Sequence, residues 1–472
     1  VAQHFHALIE EIEFPASPLA ALAMLEWRKW GFLLESALVN ESLGRWSFLG
    51  AEPFLVFSSK GPNALLRQGE QVERKKGNPF SLLPPLMKQF TLGRPRGAPP
   101  LIAGAVGYFS YDLCQLLERL PSLAREDVPL PDCCLGFYDV VVAMDHLEKR
   151  AFISSSGWPE SETPERLARA RRRLEETKAR LQGFSSPVMP MVSAGERQTA
   201  LCCNFTRESY LRAVNRAKEY IAAGDIYQVN LSQRFSHPYN ESPLELYRRL
   251  RNLNPAPFAG LLMGEDWALV SASPERFLQV RGDWVQTRPI KGTRPRGSNP
   301  EEDELLASEL LASEKDRAEN LMIVDLERND LGKVCEYGTV QTTELWVLEK
   351  YPTVFHLVST IEGRLREGQE ALSCLRACFP GGSITGAPKV RAMEIIEELE
   401  PTKRGPYTGA MGYLCFSGDM DVNIIIRTLV LKDGWAHFQV GGGIVADSDP
   451  EAEYQETLDK GRALEWALRG EK

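Results

Sequence analysis

From Asn204 onward, short apolar runs and helical stretches follow one another without strict strand–helix–strand order, and that limits the fold more than any other feature. Thr206–Ala223 reads as a helix, with Thr206 as N-cap, Ser209 close by and Gly224 as its stop. Ile226–Ser236 alternates as a strand, Pro243–Asn252 is helical, and Phe258–Leu262 and Ala268–Ala272 are strands. Repeated βαβ units would call for a parallel doubly wound sheet, whereas this mixed order predicts a large α+β architecture.

Residues 1–183 have a different texture. Strand-like runs (Gly31–Glu35, Leu55–Ser58, Ala103–Ser110, Val140–Ala143, Ala151–Ser155) mix with helical stretches such as Pro18–Lys29. Glu162–Gln182, rich in Arg, Glu, Leu and Ala, reads as a solvated surface helix. A Ser- and Pro-bearing stretch follows, so residues 184–203 are assigned as a linker between an N-terminal region, 1–183, and a catalytic region, 204–472.

Bulk properties exclude several classes. A net charge of −9, from 64 acidic and 55 basic residues, disfavours general nucleic-acid binding. Nine cysteines in 472 residues, two pairs of them adjacent (Cys133-Cys134, Cys202-Cys203), suit reduced thiols in the cytoplasm better than a disulfide framework. No apolar run is long enough for a membrane span, and no signal peptide is expected at Val1.

Lys291 lies in Thr287-Arg288-Pro289-Ile290-Lys291-Gly292-Thr293. Burial disfavours an ammonium and makes lysine a candidate nucleophile; the other reading is a turn lysine whose stem covers apolar surface. Asp316 and Glu319 sit three apart on one helix face; Glu453, Glu456 and Lys460 share a face of a second helix that opens at Asp449-Pro450. Two acid pairs invite a hard divalent cation, Mg2+ by ligand type, unless they are ordinary solvated charges.

Gly381–Lys389 has the outline of a phosphate loop, but Ala387-Pro388 stand where such a loop needs Lys and Ser or Thr, so ATP hydrolysis is not expected. Its backbone N–H groups, at what reads as a helix start, suit a carboxylate. Gly441-Gly442-Gly443 is a second place of close backbone approach, or a plain glycine turn. Glu275 ends a strand, where it is either a general acid of raised pKa or the partner of Arg276 or Arg288. His356 is a core histidine or a site residue. Arg427, ending an apolar strand, calls for an anion, and a carboxylate answers best.

With these segments in hand, residues 204–468 resemble the chorismate-utilising enzymes, the family of anthranilate, aminodeoxychorismate, isochorismate and salicylate synthases. The resemblance rests on Gly224–Asn230, Ser273–Phe277, the Lys291 turn, Asp316–Met322, His356–Thr360, Gly381–Lys389, Ile426–Thr428, Gly441–Val445 and Glu453–Thr457 in that order. It implies an anthranilate synthase-like fold of two large packed β-sheets flanked by helices. Members that add water carry a lysine where this chain has Gln228, and anthranilate synthases carry alanine where it has Lys291. The lysine form is similar to the aminodeoxychorismate synthase component I branch, which makes 4-amino-4-deoxychorismate for para-aminobenzoate and folate from chorismate and ammonia, the ammonia coming from a glutamine amidotransferase partner. The alternative is the anthranilate synthase component I branch of tryptophan synthesis.

The resemblance further implies Mg2+ on Glu319 and Glu456, with Asp316 and Glu453 in support through water. Lys291 attacks the ring, Glu275 protonates the departing hydroxyl, and His356 orients the substrate. Arg427, Lys460 and Gly441, Gly442 and Gly443 hold carboxylates, while Thr385 and Gly386 line the same site. Leu33–Ser36 resembles a tryptophan-binding segment, which would make Leu34, Glu35, Ser36, Pro257 and Phe258 a pocket for bound tryptophan, or else a packed strand.

Overall fold

The computed structural model describes residues 6–25, 27–38, 43–182, 201–351 and 354–470. Most of the 184–203 stretch therefore lies outside the described residues; Cys202–Cys203 is a short strand on Phe235 and Ser236.

Two 12-stranded sheets carry the molecule. The first runs from Leu8–Ile12 through Arg150–Ser155, Val140–Asp145, Trp46–Gly50 and Phe32–Glu35, and continues into Phe258–Met263, Trp267–Ser273, Thr428–Lys432, Trp435–Ile444 and Gln228–Pro238. The second runs from Ile290–Pro295 through Val354–Arg364, Trp284–Thr287, Arg276–Arg281, Met420–Ile424 and Ala410–Cys415. It continues into Gly104–Phe109, Cys133–Tyr138 and Leu55–Lys60. The α+β expectation and the two packed sheets of the resemblance are what the chain forms.

Both sheets cross the 184–203 stretch. Phe32–Glu35 pairs antiparallel with Phe258–Met263, and Gly104–Phe109 with Ala410–Cys415. The main core likewise mixes residues from both sides; the rings of Phe54, Phe90, Phe137 and Phe416 pack edge-on or tilted, with Phe54 and Phe90 5.1 Å apart. Such aromatic pairs add about 0.5–1.5 kcal/mol each beyond their buried area.

Local signals hold where they are short-range. Thr206 and Ser209 form a reciprocal capping box at the start of Arg207–Ala222, and Asp449 caps Pro450–Arg469 through Ala452 N at 2.9 Å. The first helix is shorter than expected, Pro18–Met24 rather than Pro18–Lys29. The chain reverses at Trp30, with φ 58°, so that Phe32 can enter the sheet. The 162–182 helix spans Thr163–Gln182, but Arg166, Ala170, Leu174 and Thr177 are buried against the sheet, so only its other faces are solvated.

Candidate active site

Strand Trp267–Ser273 ends at Pro274, which cannot donate to a ladder, and Glu275 turns away from the sheet at 5% exposure. The two arginines that could have neutralised it are used elsewhere. Arg276 forks onto Asp421, both bonds at 3.1 Å, and Arg288 pairs with Glu349 at 2.9 Å. Glu275 instead receives the Ile290 amide at 3.4 Å. Burial raises its pKa, while the neighbouring Ser383 hydroxyl, the Lys291 charge and the Ile290 amide oppose the rise.

Lys291 was expected in a turn; it lies in strand Ile290–Pro295, antiparallel to Val354–Arg364. The register shifts between Ile290 and Thr293, leaving Lys291 and Gly292 on a bulge that re-aims the lysine out of the ladder. Gly292 has φ 80°, and a Cβ there would stand 3.0 Å from Asp316 Cβ, so both the bend and the close approach to helix Glu314–Gly332 require glycine. Lys291 Nζ donates to the Ser383 carbonyl at 3.1 Å. Its half-buried setting lowers its pKa, with Lys460 adding to the fall and Glu319, Glu275 and Glu456 opposing it.

The four candidate metal ligands come from two helices. Asp316 and Glu319 stand on Glu314–Gly332, Glu453 and Glu456 on Pro450–Arg469. The Glu456 charge acts on Glu319, and both act on Lys291. Burial raises Glu319 and Glu453, with the like charge of Glu456 adding in each case. Existing partners hold parts of the set: Arg294 donates to Asp316 at 3.0 Å, Ser448 to Glu453 at 2.6 Å, and Lys460 to Glu456 at 2.5 Å. Among the described residues no three acidic, histidine or cysteine side chains close into a metal cage. The donor set is all carboxylate oxygen, the ligand type of a hard dication, although Arg294, Lys315 and Lys460 already sit beside three of the four acids.

The glycine run forms the floor of the same cluster. It sits in strand Trp435–Ile444, paired with Gln228–Pro238, so it is a strand and not a turn. A Cβ on Gly442 would meet Glu453 Oε2 at 3.1 Å, Glu456 Oε1 at 3.4 Å and Lys460 Nζ at 3.7 Å. Lys460 Nζ also donates to the Gly441 carbonyl at 2.9 Å. Gly443 lies against Gln228, whose amide is 1% exposed and has neither its nitrogen nor its oxygen bonded. A buried amide left open in this way suits a polar ligand.

Arg427 adopts φ 51°, an uncommon conformation for a non-glycine residue. It donates to the Lys460 carbonyl and, among the described residues, makes no ion pair. Burial lowers its pKa, opposed by Tyr407 and Glu456. Among the described residues no carboxylate pairs with it directly, which leaves room for an anion. His356 Nδ1 bonds the Thr293 hydroxyl at 2.9 Å, and burial with the nearby Arg427 charge depresses it to about 3, so the imidazole is neutral.

The Gly381–Lys389 loop leads into helix Lys389–Leu399, capped at Glu400, as expected. Its glycines, however, stand ahead of that helix: a 3-10 turn covers Gly382–Ile384 and Gly386 pairs with Val229. The Ser383 carbonyl of the loop receives the Lys291 cation. Thr385 is fully buried, its hydroxyl donating to Gly381 O at 2.9 Å and its carbonyl accepting from Asn230 N at 2.7 Å. Beneath it, Arg404 binds Glu400, the Ile384 carbonyl and the Asn230 carbonyl, fixing the loop to the strand. Sequence reading missed this brace, since Glu400 and Arg404 stand among ordinary surface-like charges.

Leu34, Glu35, Ser36, Pro257 and Phe258 line one cavity of about 460 Å³, and Lys291 is not among its lining residues. Glu35 is already engaged by Tyr247 at 2.6 Å and Arg251 at 2.8 Å, and Ser36 donates to Trp46 O at 2.7 Å.

Lys291, Glu275, the acidic cluster and Arg427 thus gather around one polar site, and Arg427, without an ion pair among the described residues, suits an anion. The chain belongs to the chorismate binding enzyme family, whose model matches residues 38–465, and it is a chorismate-utilising enzyme. It is 45% identical over 456 residues to anthranilate synthase component 1 of Thermus thermophilus, covering 97% of this chain and 95% of that one. It is 41% identical over 454 residues to aminodeoxychorismate synthase component 1 of Klebsiella aerogenes, covering 95% and 96%. The crystal structure of anthranilate synthase component I from Streptococcus pneumoniae superposes with a TM-score of 0.77 at 32% identity, covering 90% of this chain and 93% of that one. Among the described residues no helix is long and apolar enough to cross a membrane.

Proposed function

We propose that this enzyme converts chorismate and ammonia into 4-amino-4-deoxychorismate for para-aminobenzoate and folate synthesis, through a covalent adduct on Lys291. The observation that carries the reading is Lys291 itself: bulged out of its strand, lowered in pKa, held on the Ser383 carbonyl and facing Glu275 and the acidic cluster. A lysine so placed can reach its neutral, nucleophilic form.

Lys291 Nζ forms a bond to the ring carbon beside the carboxylate-bearing one, both ring double bonds shift, and the hydroxyl on the carbon opposite the carboxylate-bearing one leaves as water with the proton of Glu275. Ammonia bonds to the carbon the hydroxyl left, both double bonds shift back, and Lys291 departs. The proton released as ammonia becomes an amine returns to the Glu275 carboxylate. Arg427 and Lys460 anchor substrate carboxylates, the Thr385–Gly386 segment and Gly441–Gly443 shape the walls, and neutral His356 orients the ring. Mg2+ on Glu319 and Glu456, supported by Asp316 and Glu453, would neutralise the ring carboxylate.

The name "component 1" shared by the relatives supports a glutamine amidotransferase partner that supplies the ammonia. We place the pair in the cytoplasm, where nine free thiols are stable. The 460 Å³ cavity fits a tryptophan, with Phe258 among its apolar walls and Asn423 among its polar ones. A second reading, anthranilate formation, is supported by the anthranilate synthases among the relatives. Incubation with chorismate, Mg2+ and ammonium followed by product identification separates the two. 4-Amino-4-deoxychorismate without pyruvate supports the proposal, and fluorescent anthranilate with pyruvate overturns it.

A further inference from the structure

The Thr287–Lys291 segment runs between two buried carboxyls, and the reaction above uses only one. On one side the Ile290 amide donates to Glu275 at 3.4 Å; on the other, the Thr287 hydroxyl donates to Glu327 Oε2 at 2.7 Å. Glu327 lies on the inner face of helix Glu314–Gly332, eight residues beyond Glu319 and about 12 Å further along the axis. It is 6% exposed and sits under the turn whose Ser383 carbonyl receives Lys291, since a Cβ on Gly382 would stand 3.6 Å from Glu327 Cγ.

A buried carboxyl kept for structure is ordinarily paired with a cation. Glu327 makes no ion pair among the described residues. The cation that faces it, Lys389, is committed to Asp330 and to the carbonyls of Cys378 and Pro380. The titratable groups facing Glu327 are Glu275 from the strand end, Asp330 from its own helix, Cys378 from helix Ala371–Cys378 and Lys389 from the next helix.

We infer that Glu327 is a positioning residue for the Glu275–Lys291 pair, a second buried carboxyl that acts through the Thr287–Lys291 segment and not on substrate. The inference rests on Glu275 being the proton donor. Glu275 becomes an anion when it protonates the leaving hydroxyl, and an uncharged Glu327 leaves that anion opposed by no like charge on the far side of the segment. Burial pushes Glu327 up to about 8, with Glu275 and Asp330 adding and Thr287 and Lys389 opposing, so it is uncharged at neutral pH. Above that point its charge makes Glu275 a weaker acid and holds the Lys291 proton more firmly, and both slow the reaction.

The test is the ratio of Glu327→Gln to wild-type turnover of chorismate with ammonium across the range from about pH 6.5 to about pH 9.5, in which the protonation of ammonia cancels. Glutamine keeps an acceptor for Thr287 and does not ionise, so the ratio should climb about tenfold through pH 8; a flat ratio overturns the inference. Glu275→Gln runs alongside. If it keeps wild-type turnover, the acid assignment itself fails; if it is inactive while the ratio stays flat, only the role of Glu327 fails. Should Glu327→Gln not fold, infrared titration of Asp112→Asn, which keeps Glu275 and removes the other carboxyl pushed up to about 7, decides the matter. A protonated-carboxyl band lost with a midpoint of about 8 supports the inference, and absence of that band above pH 6 overturns it.

Discussion

Lys291 and Glu275 are joined through one peptide: the Ile290 amide donates to the Glu275 carboxyl at 3.4 Å, and the next side chain, Lys291, donates to the Ser383 carbonyl at 3.1 Å. The proposed nucleophile and the proposed acid are therefore tied through the Ile290 amide, and movement of one displaces the other. Glu275→Gln, which keeps size and loses the proton, should lower kcat by about 10²–10⁴-fold with little change in thermal midpoint. Steady-state kinetics beside a thermal melt check both halves.

Gly442 keeps the acidic cluster open. Gly442→Ala places a methyl 3.1 Å from Glu453 Oε2 and 3.4 Å from Glu456 Oε1, a tight fit that pushes the carboxylates by a few tenths of an ångström. Mg2+ affinity, read by calorimetry without substrate, should fall by about 10–100-fold while the fold is retained. Unchanged affinity would remove these glutamates from the proposed metal site.

The Arg404–Glu400 pair braces the Thr385 loop with both side chains almost fully buried, 2.8 Å apart. Arg404→Met strands the Glu400 charge and should cost about 3–5 kcal/mol in denaturant unfolding. Arg404→Met with Glu400→Leu should recover much of that, because no uncompensated charge remains.

Stability should fall as pH rises through the Glu327 range. Its folded pKa, about 8, is raised above the unfolded carboxylate value, so the native chain binds the extra proton between them. The stabilisation is fully present below about pH 4.5 and is lost as pH rises to about 8, an effect on the order of a few kcal/mol. His356 acts at the other end. Depressed to about 3, it stays neutral while the unfolded imidazole gains a proton, so stability falls as pH drops from about 6.5 towards 3. Glu327→Gln should remove Glu327's share of the first dependence, leaving that of other raised carboxyls such as Asp112 at about 7, and should leave the second unchanged, as read from urea midpoints across pH.

How much of this was legible in the sequence depended on range. Caps such as Thr206 and Asp449-Pro450 are local chemistry and appear where expected. Lys291 stood out because Ile290 and Gly292 flank it, yet the bulge that aims it depends on register with Val354–Arg364, set by distant pairing. The resemblance set Leu34–Ser36 beside Pro257 and Phe258, but the strand pairing of Phe32–Glu35 with Phe258–Met263 likewise depends on distant register. Glu327 was missed because Asp325-Leu326-Glu327-Arg328-Asn329-Asp330 reads as a solvated charge run. Only packing against Thr287 and Gly382 shows which of those charges is inside.

The central claim is the Lys291 adduct, and intact-protein mass spectrometry with chorismate and Mg2+ in the absence of ammonia tests it most directly. The account predicts a species heavier by chorismate less one water, mapped by peptide digestion to Lys291 and discharged as 4-amino-4-deoxychorismate when ammonium is added. An unmodified enzyme under those conditions, with Lys291→Ala turning over chorismate and ammonium as fast as wild type, would contradict it.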